Sequence, residues 1–287
     1  CFKHKDLVLL EKKKKINTNL INNEIENTID KSKLVISLVN AARMKAKFKR
    51  RWPINRVVIC TQDRNLLESS GLSEILKKQL NTMSIDIKVV HFSNLFEKIN
   101  LLNKENLVSL SAKLKVNKIA PRLKNDLKNA LQSFNQTNYG DLFDQLNSKS
   151  NFNLKYKSGE IELSKDDVEF SYTGKTPYIM MESEQENVIV FIDTTRSSKL
   201  ISMGLMKDIA RNIQQLRKER GFVPTEILSS AHISNLDSDD LLSLENYKNE
   251  LAYYVRVKQV IITPNKLVDI EYKEIEIDGR KILISVK

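Results

Sequence analysis

Residues 40–59 read NAARMKAKFKRRWPINRVVI, and two kinds of local structure meet inside this stretch. Upstream of it and through its first half, Ile25, Ile29, Leu34, Val35, Leu38, Val39, Ala42 and Ala46 recur at helical spacing over residues 22–48, with no Gly or Pro between them. One long helix is predicted there. Arg43, Lys45, Lys47, Lys49, Arg50 and Arg51 crowd its last turns, where cations suit the negative end of the helix dipole. Pro53 stops it, because proline lacks the N–H and its ring clashes with the preceding turn. Val57, Val58 and Ile59 then read as a buried strand over residues 54–60.

Working outward, residues 66–80 carry an amphipathic helical pattern and residues 85–92 a second strand, so a strand, helix, strand unit is predicted. Alternation at Leu110, Ala112, Leu114 and Val116 suggests another strand. Pro121 is expected to open a helix running to Phe134, since proline fits the first helical turn, and a short helix over residues 139–146 follows. From residue 152 to 192 the pattern changes to short alternating runs at 153–156, 160–163, 168–172, 178–182 and 188–193, separated by turn signals such as Ser158-Gly159 and Thr173-Gly174. An antiparallel sheet is predicted.

A second long helix covers residues 198–220. Ile201, Leu205, Ile209, Ile213 and Leu216 form its buried stripe, while Lys207, Arg211, Gln214, Gln215 and Lys218 form the opposite face. Gly204 inside it costs about 1 kcal/mol relative to Ala, so close packing against a neighbour is expected there. Gly221 ends the helix as a left-handed cap. A strand at 225–233, helices at 237–247 and 247–254, and a strand at 257–263 follow. The chain closes on a hairpin, 268–277 with 281–286, turned at Asp278-Gly279. The fold class is thus mixed α/β, of the α+β kind, with mixed sheets.

At 287 residues, 41% hydrophobic and 29% charged, the chain is long enough for two packed units. Seven Gly and five Pro leave little for flexible linkers. Cys1 and Cys60 are far apart, as are His4, His91 and His232, so local spacing gives no zinc site. A reduced, metal-free, cytosolic protein is expected. No apolar run approaches the roughly 20 residues of a membrane helix. The chain begins with Cys rather than Met, which suggests a fragment or a processed product.

The net charge is +11, and its distribution matters more than its size. Residues 1–56 hold 15 Lys/Arg against 5 Asp/Glu, whereas the remainder holds 32 against 31. Such a patch favours a polyanion, nucleic acid or an anionic membrane surface; a solvated Lys-rich face is the alternative. Sites of chemistry are missing: no phosphate-cradling Gly-rich loop, no GxSxG and no HExxH occur. Asp166-Asp167 beside Ser164, and Asp239-Asp240, read as capped helix starts. In residues 43–56, Arg43, Lys45, Lys47, Lys49, Arg50, Arg51 and Arg56 offer phosphate contacts. Trp52 and Phe48 offer flat faces for stacking on unpaired bases, or else are core residues where helix meets strand.

Residues 40–59 resemble the stretch of isoleucyl-tRNA synthetases where the last helix of the anticodon-binding bundle ends in a basic run and an Arg-aromatic-Pro turn. A second match, DTTRSSKLISMGLMKDIARNIQQLRKERGFVPTEI over residues 193–227, is similar to the family's following long helix, with weaker echoes at 117–127 and 159–170. The resemblance implies that residues 1–52 are the last part of the anticodon-binding helical domain. Residues 53–150 would then be an α/β unit with a helical connection, and 151–287 a C-terminal α/β unit. The family's HIGH and KMSKS sequences and its editing domain are missing here, so catalytic and editing domains would lie upstream. ATP and Mg would serve that parent enzyme, and this chain would hold no cofactor of its own. The partner implied is tRNA-Ile, with no membrane. Lacking the four-cysteine zinc module common in bacterial members, the chain resembles the archaeal or eukaryotic-cytosolic type. Arg211, Arg217 and Lys218 become candidate tRNA contacts, or surface ion pairs with Asp208 and Glu219. Met203 and Asn212 depart from the family pattern and leave this helix face less charged. A stand-alone RNA-binding or scaffold module is the alternative function.

Overall fold

The computed structural model of the chain describes residues 22–62, 64, 72–91 and 94–287. Cys1, His4, the run from Lys12 to Lys15, and residues 66–71 of the second expected helix lie outside the described residues. The first helix, α1 (Asn23–Lys45), stops well before Pro53. Lys47 takes a left-handed backbone, φ 57°, and the Phe48 and Lys47 N–H groups return to Arg43 O at 2.8 Å and Met44 O at 3.0 Å. That is a Schellman closure with lysine in place of the usual glycine. Lys47, Lys49, Arg50 and Arg51, expected on the last helical turns, therefore lie in a loop.

The expected strand, helix, strand unit is present as β1 (Ile54–Thr61), α2 (Leu72–Leu80) and β2 (Thr82–Val89), with the two strands parallel. Next come α3 (Leu95–Lys104), β3 (Val108–Leu114) and α4 (Val116–Leu123). Pro121 lies inside α4 rather than opening a helix; α4 ends where Lys124 adopts φ 49°, and α5 (Leu127–Phe134) restarts beyond a 3-10 turn. The chain continues through α6 (Tyr139–Lys149), β4 (Asn151–Tyr156), β5 (Gly159–Ser164), β6 (Val168–Gly174), β7 (Tyr178–Ser183) and β8 (Val188–Asp193).

The last five of these do not form one antiparallel sheet. β4 pairs only with β5, β6 returns to β3, and β7 and β8 join the first unit in the order β2-β1-β8-β7. The segments on either side of residue 150 therefore share one sheet. The cause is visible in β1 and β8, which are apolar on both faces and must be covered on both. Val57, Ile59, Val190 and Ile192 pack with Val35, Val39 and Ala42 of α1. Val58, Cys60, Ile189 and Phe191 pack with Leu102, Leu107 and Val108.

The second long helix, α7 (Ser198–Glu219), leads to β9 (Leu228–Ser234), α8 (Ser238–Glu245), α9 (Lys248–Val255), β10 (Val257–Thr263), β11 (Lys273–Ile277) and β12 (Arg280–Val286). These strands form a mixed sheet in the order β10-β9-β12-β11, with β9 and β10 parallel. Leu205, Ile209 and Ile213 of α7 are buried with Ile233, Ile282 and Ile284 in its core. The hairpin turns at Asp278 and Gly279, φ 48° and 80°, as an Asp-Gly turn of the primed type requires.

Trp52 is central to the junction of this unit with the first sheet. Trp52 is 4% exposed, and a methyl group on Gly204 would lie 2.4 Å from its ring. One turn along α7, Asp208 accepts the indole Nε1–H at 2.9 Å and Lys49 Nζ at 3.1 Å, and is also bonded by Arg51 Nε. Burial alone would raise the Asp208 pKa, but the bonds from Arg51, Trp52 and Lys49 outweigh it and hold the carboxyl below its ordinary range.

Two expected outcomes follow from this junction. Gly204→Ala, which in an open helix would add about 1 kcal/mol of stability, is expected to destabilise by about 1–3 kcal/mol because it overpacks the indole. Urea unfolding reads this as a lower midpoint at unchanged slope, and a raised midpoint would contradict the packing. Asp208→Asn is expected to cost about 1.5–3 kcal/mol near neutral pH, the worth of a hydrogen bond to a charged group. A carboxyl depressed in the folded state contributes stability that is complete above its unfolded pKa, about 3.9, and is lost as pH falls through the folded value. The gap between wild type and variant should therefore narrow below about pH 3.9; a gap that stays constant down to pH ~2 would rule out the charged role.

Candidate nucleic-acid interface

The basic loop after α1 is shaped from inside by Arg43. Its guanidinium, 3% exposed, donates to the carbonyls of Trp52 at 2.7 Å, Lys49 at 3.4 Å, Leu80 at 2.6 Å and Asn81 at 3.0 Å. Only a planar fork of several N–H donors can gather carbonyls from two segments in this way. Burial, and secondarily the nearby charge of Arg50, push its pKa down to about 10, so it is still a cation at neutral pH. Arg217 does the same elsewhere. Only 2% exposed, it donates to Val255 O and, at 2.8, 3.4 and 2.7 Å, to Arg256 O, Val223 O and Glu226 O.

These placements revise the expected contact set. Arg43, Arg217 and Trp52 are buried and committed to internal partners, and Trp52 has the core role that was its alternative. Lys49 and Arg51 neutralise Asp208; Lys49 also reaches Asp278 at 2.8 Å, and its pKa is raised, first by the Asp278 bond. Arg56 is held by Asp86 at 2.6 Å and by the Tyr178 hydroxyl at 3.3 Å. Asp208 and Glu219, the expected partners of the α7 cations, are taken by Lys49 and Arg51 and by Lys273.

What is left is exposed. Lys45, Lys47, Arg50, Arg211 and Lys218 are at the surface, and among the described residues none of them forms a salt bridge. Arg196 joins them and was missed by periodicity and charge counting. It stands before the Ser197 cap of α7 and lays its guanidinium 4.7 Å from the Phe48 ring and 4.9 Å from the Trp52 ring. The only sequence signal for it is its membership of the second family-like segment. Lys207 donates to Asn81 Oδ1 at 2.8 Å, and burial lowers its pKa. With Arg51, Arg211, Gln214 and Tyr254 it lines a depression of about 260 Å³.

This surface presents exposed cations, and among the described residues it contains no nucleophile paired with a base. Cys60 is buried and its thiol is pushed up to about 12. Among the described residues no group of three or more His, Cys, Asp or Glu is arranged to hold a metal, and no helix is long and apolar enough to cross a membrane.

No family model matches the chain. It is similar to curated isoleucine–tRNA ligases at low identity. It is 26% identical to that of Pyrococcus abyssi over 71% of this chain and 17% of the relative. The protein of Clostridium kluyveri is 23% identical over 94% of this chain and 24% of its own length. For Clostridium novyi the identity is 27%, again over 94% and 24%. The chain thus spans about a quarter or less of the length of these relatives. Its likeness to both Pyrococcus and Clostridium proteins does not single out one branch. Over nearly all its length the chain is similar to part of the two Clostridium ligases.

Proposed function

We propose that this chain is the portion of a cytoplasmic isoleucine–tRNA ligase that holds the anticodon end of tRNA-Ile. The grip would be made by the exposed cations of the loop after α1 and of α7. The observation that carries the reading is the sorting of charge at this surface. Asp86, Asp208 and Asp278 are matched by Arg56, Arg51 and Lys49, while Lys45, Lys47, Arg50, Arg211 and Lys218 remain exposed. Unmatched cations are what a phosphate backbone needs, since each contact releases a counterion. Arg43, Trp52 and Arg217 contribute indirectly, by fixing the loop and the end of α7 against the body.

Activation of isoleucine with ATP and Mg is assigned to an upstream catalytic domain of the same ligase, and hydrolysis of wrong products to its upstream editing domain. No residue of this chain is assigned a step in that chemistry. Purified alone, the chain is expected to show no isoleucine-dependent ATP–pyrophosphate exchange; such exchange in a preparation free of host ligase would refute that division of labour.

Binding is tested by titrating tRNA-Ile and a non-cognate tRNA at several salt concentrations. Affinity should fall linearly on a log–log plot, with a slope near ~0.7 to 0.9 per phosphate contact. Replacing Lys47 and Arg50 with Ala should weaken both tRNAs about equally and flatten that slope. A salt-independent affinity would sink the phosphate reading.

A further inference from the structure

On this surface Trp52 has no face left for a base, yet a second aromatic pair stands beside the cations. Tyr253 and Tyr254 end α9, 82% and 45% exposed, with ring centroids 6.1 Å apart and planes at 63°. Large aromatic rings are seldom left in water without a partner, because each has 150–250 Å² to bury. Tyr254 belongs to two depressions at once. One is the cationic depression of Arg51, Lys207 and Arg211. The other, about 420 Å³, is lined by Ile227, Ala252, Tyr253, Tyr254, Arg256 and Val257, and its size lies within the range of small-molecule sites.

The register between them is fixed. Gln214 of α7 donates to Tyr254 O at 2.7 Å. Arg217 holds the carbonyls of Val255 and Arg256, the latter at 2.8 Å, where Arg256 turns with φ 52°. The aromatic end of α9 is therefore tied to the basic face of α7. Two acids are close: Asp208, which holds Arg51, and Glu250, which interacts with the Tyr254 hydroxyl and with Lys207. Lys207 and Arg211 line the depression at Tyr254, and Arg256 lies beside both tyrosines in the other.

We infer that Tyr253 and Tyr254 form a stacking platform for an unpaired RNA base, with the flanking phosphates taken by Lys207 and Arg211. The inference rests on the tRNA-binding reading and deepens it. A flat ring supplies stacking that any base can use, and cations at its edge hold the backbone, the usual division in single-stranded RNA recognition. Charge complementarity favours RNA over an apolar protein segment: the depression beside Tyr254 carries Lys207 and Arg211, and Arg256 stands among the otherwise apolar side chains around Tyr253.

The test uses the full chain with an RNA hairpin of the anticodon stem and loop, and with the same stem closed as an uninterrupted duplex. Tyr253→Ala, at a site exposed enough to leave folding intact, is expected to weaken hairpin binding roughly 5- to 150-fold. It should leave duplex binding, the salt slope and the melting temperature unchanged. Tyr253→Phe, which keeps the ring, should restore the hairpin affinity. Hairpin binding by Tyr253→Ala equal to wild type overturns the platform while leaving phosphate binding standing, and so does equal weakening by Tyr253→Phe. A shift of Tyr253→Ala alone from dimer to monomer overturns it in favour of a contact with a second copy. Failure of the wild-type chain to bind either RNA overturns the tRNA-binding reading itself, and the platform with it.

Discussion

Trp52 is constrained three ways, through its ring face, its indole N–H and its backbone carbonyl, and the arrangement of the molecule around it depends on all three. Its face meets α7 at Gly204, where no Cβ fits. Its Nε1 proton is held by Asp208, and its carbonyl is held by Arg43. A carboxylate as buried as Asp208 would be costly if it were unpaired; three donors make it tolerable, and two of them, Lys49 and Arg51, come from the same loop as the tryptophan. Moving the loop would therefore uncover a charge, an indole and a set of carbonyls together. That coupling makes the loop a fixed part of the surface, although it contains neither helix nor strand.

Arg43 and Arg217 solve one problem at two places. Each reaches past the end of a helix to backbone carbonyls, some of which also accept a backbone N–H, and each has donors enough to bind several at once. Their charge is spent on backbone dipoles inside the protein. A count of basic residues thus overstates what is available to a polyanion. Of the cations between residues 43 and 56, Arg43 is internal, Lys49, Arg51 and Arg56 are paired, and Lys45, Lys47 and Arg50 stand open to solvent with no carboxylate partner among the described residues.

The two segments that resemble isoleucyl-tRNA synthetases, residues 40–59 and 193–227, touch one another in the folded chain. Trp52 meets Gly204 and Asp208, and Arg196 covers Phe48 and Trp52. Overall identity to the ligases is low, 23–27% over the longest matches. A close contact between a glycine and an indole tolerates few substitutions on either side.

Local chemistry was legible in the sequence. The limits of β8 and β10, the long helix at 198–219, the left-handed Gly221, the Asp278-Gly279 turn and the Asp237 cap all follow from periodicities of two or 3.6 and from single residues with special backbone needs. Gly204 announced a close neighbour without naming it. Sheet partners were not legible, because alternation tells which way a side chain points but not which strand lies beside it. β7 and β8 thus left their sequence neighbours for β1. Nor was the fate of each basic residue. Whether an arginine meets water, a carboxylate or four backbone carbonyls depends on groups far along the chain, as Leu80 and Asn81 are for Arg43. A local Schellman closure, with Lys47 in a left-handed turn that only glycine would have announced, ended α1 at Lys45 and made a loop of what helical spacing alone would have continued to Pro53.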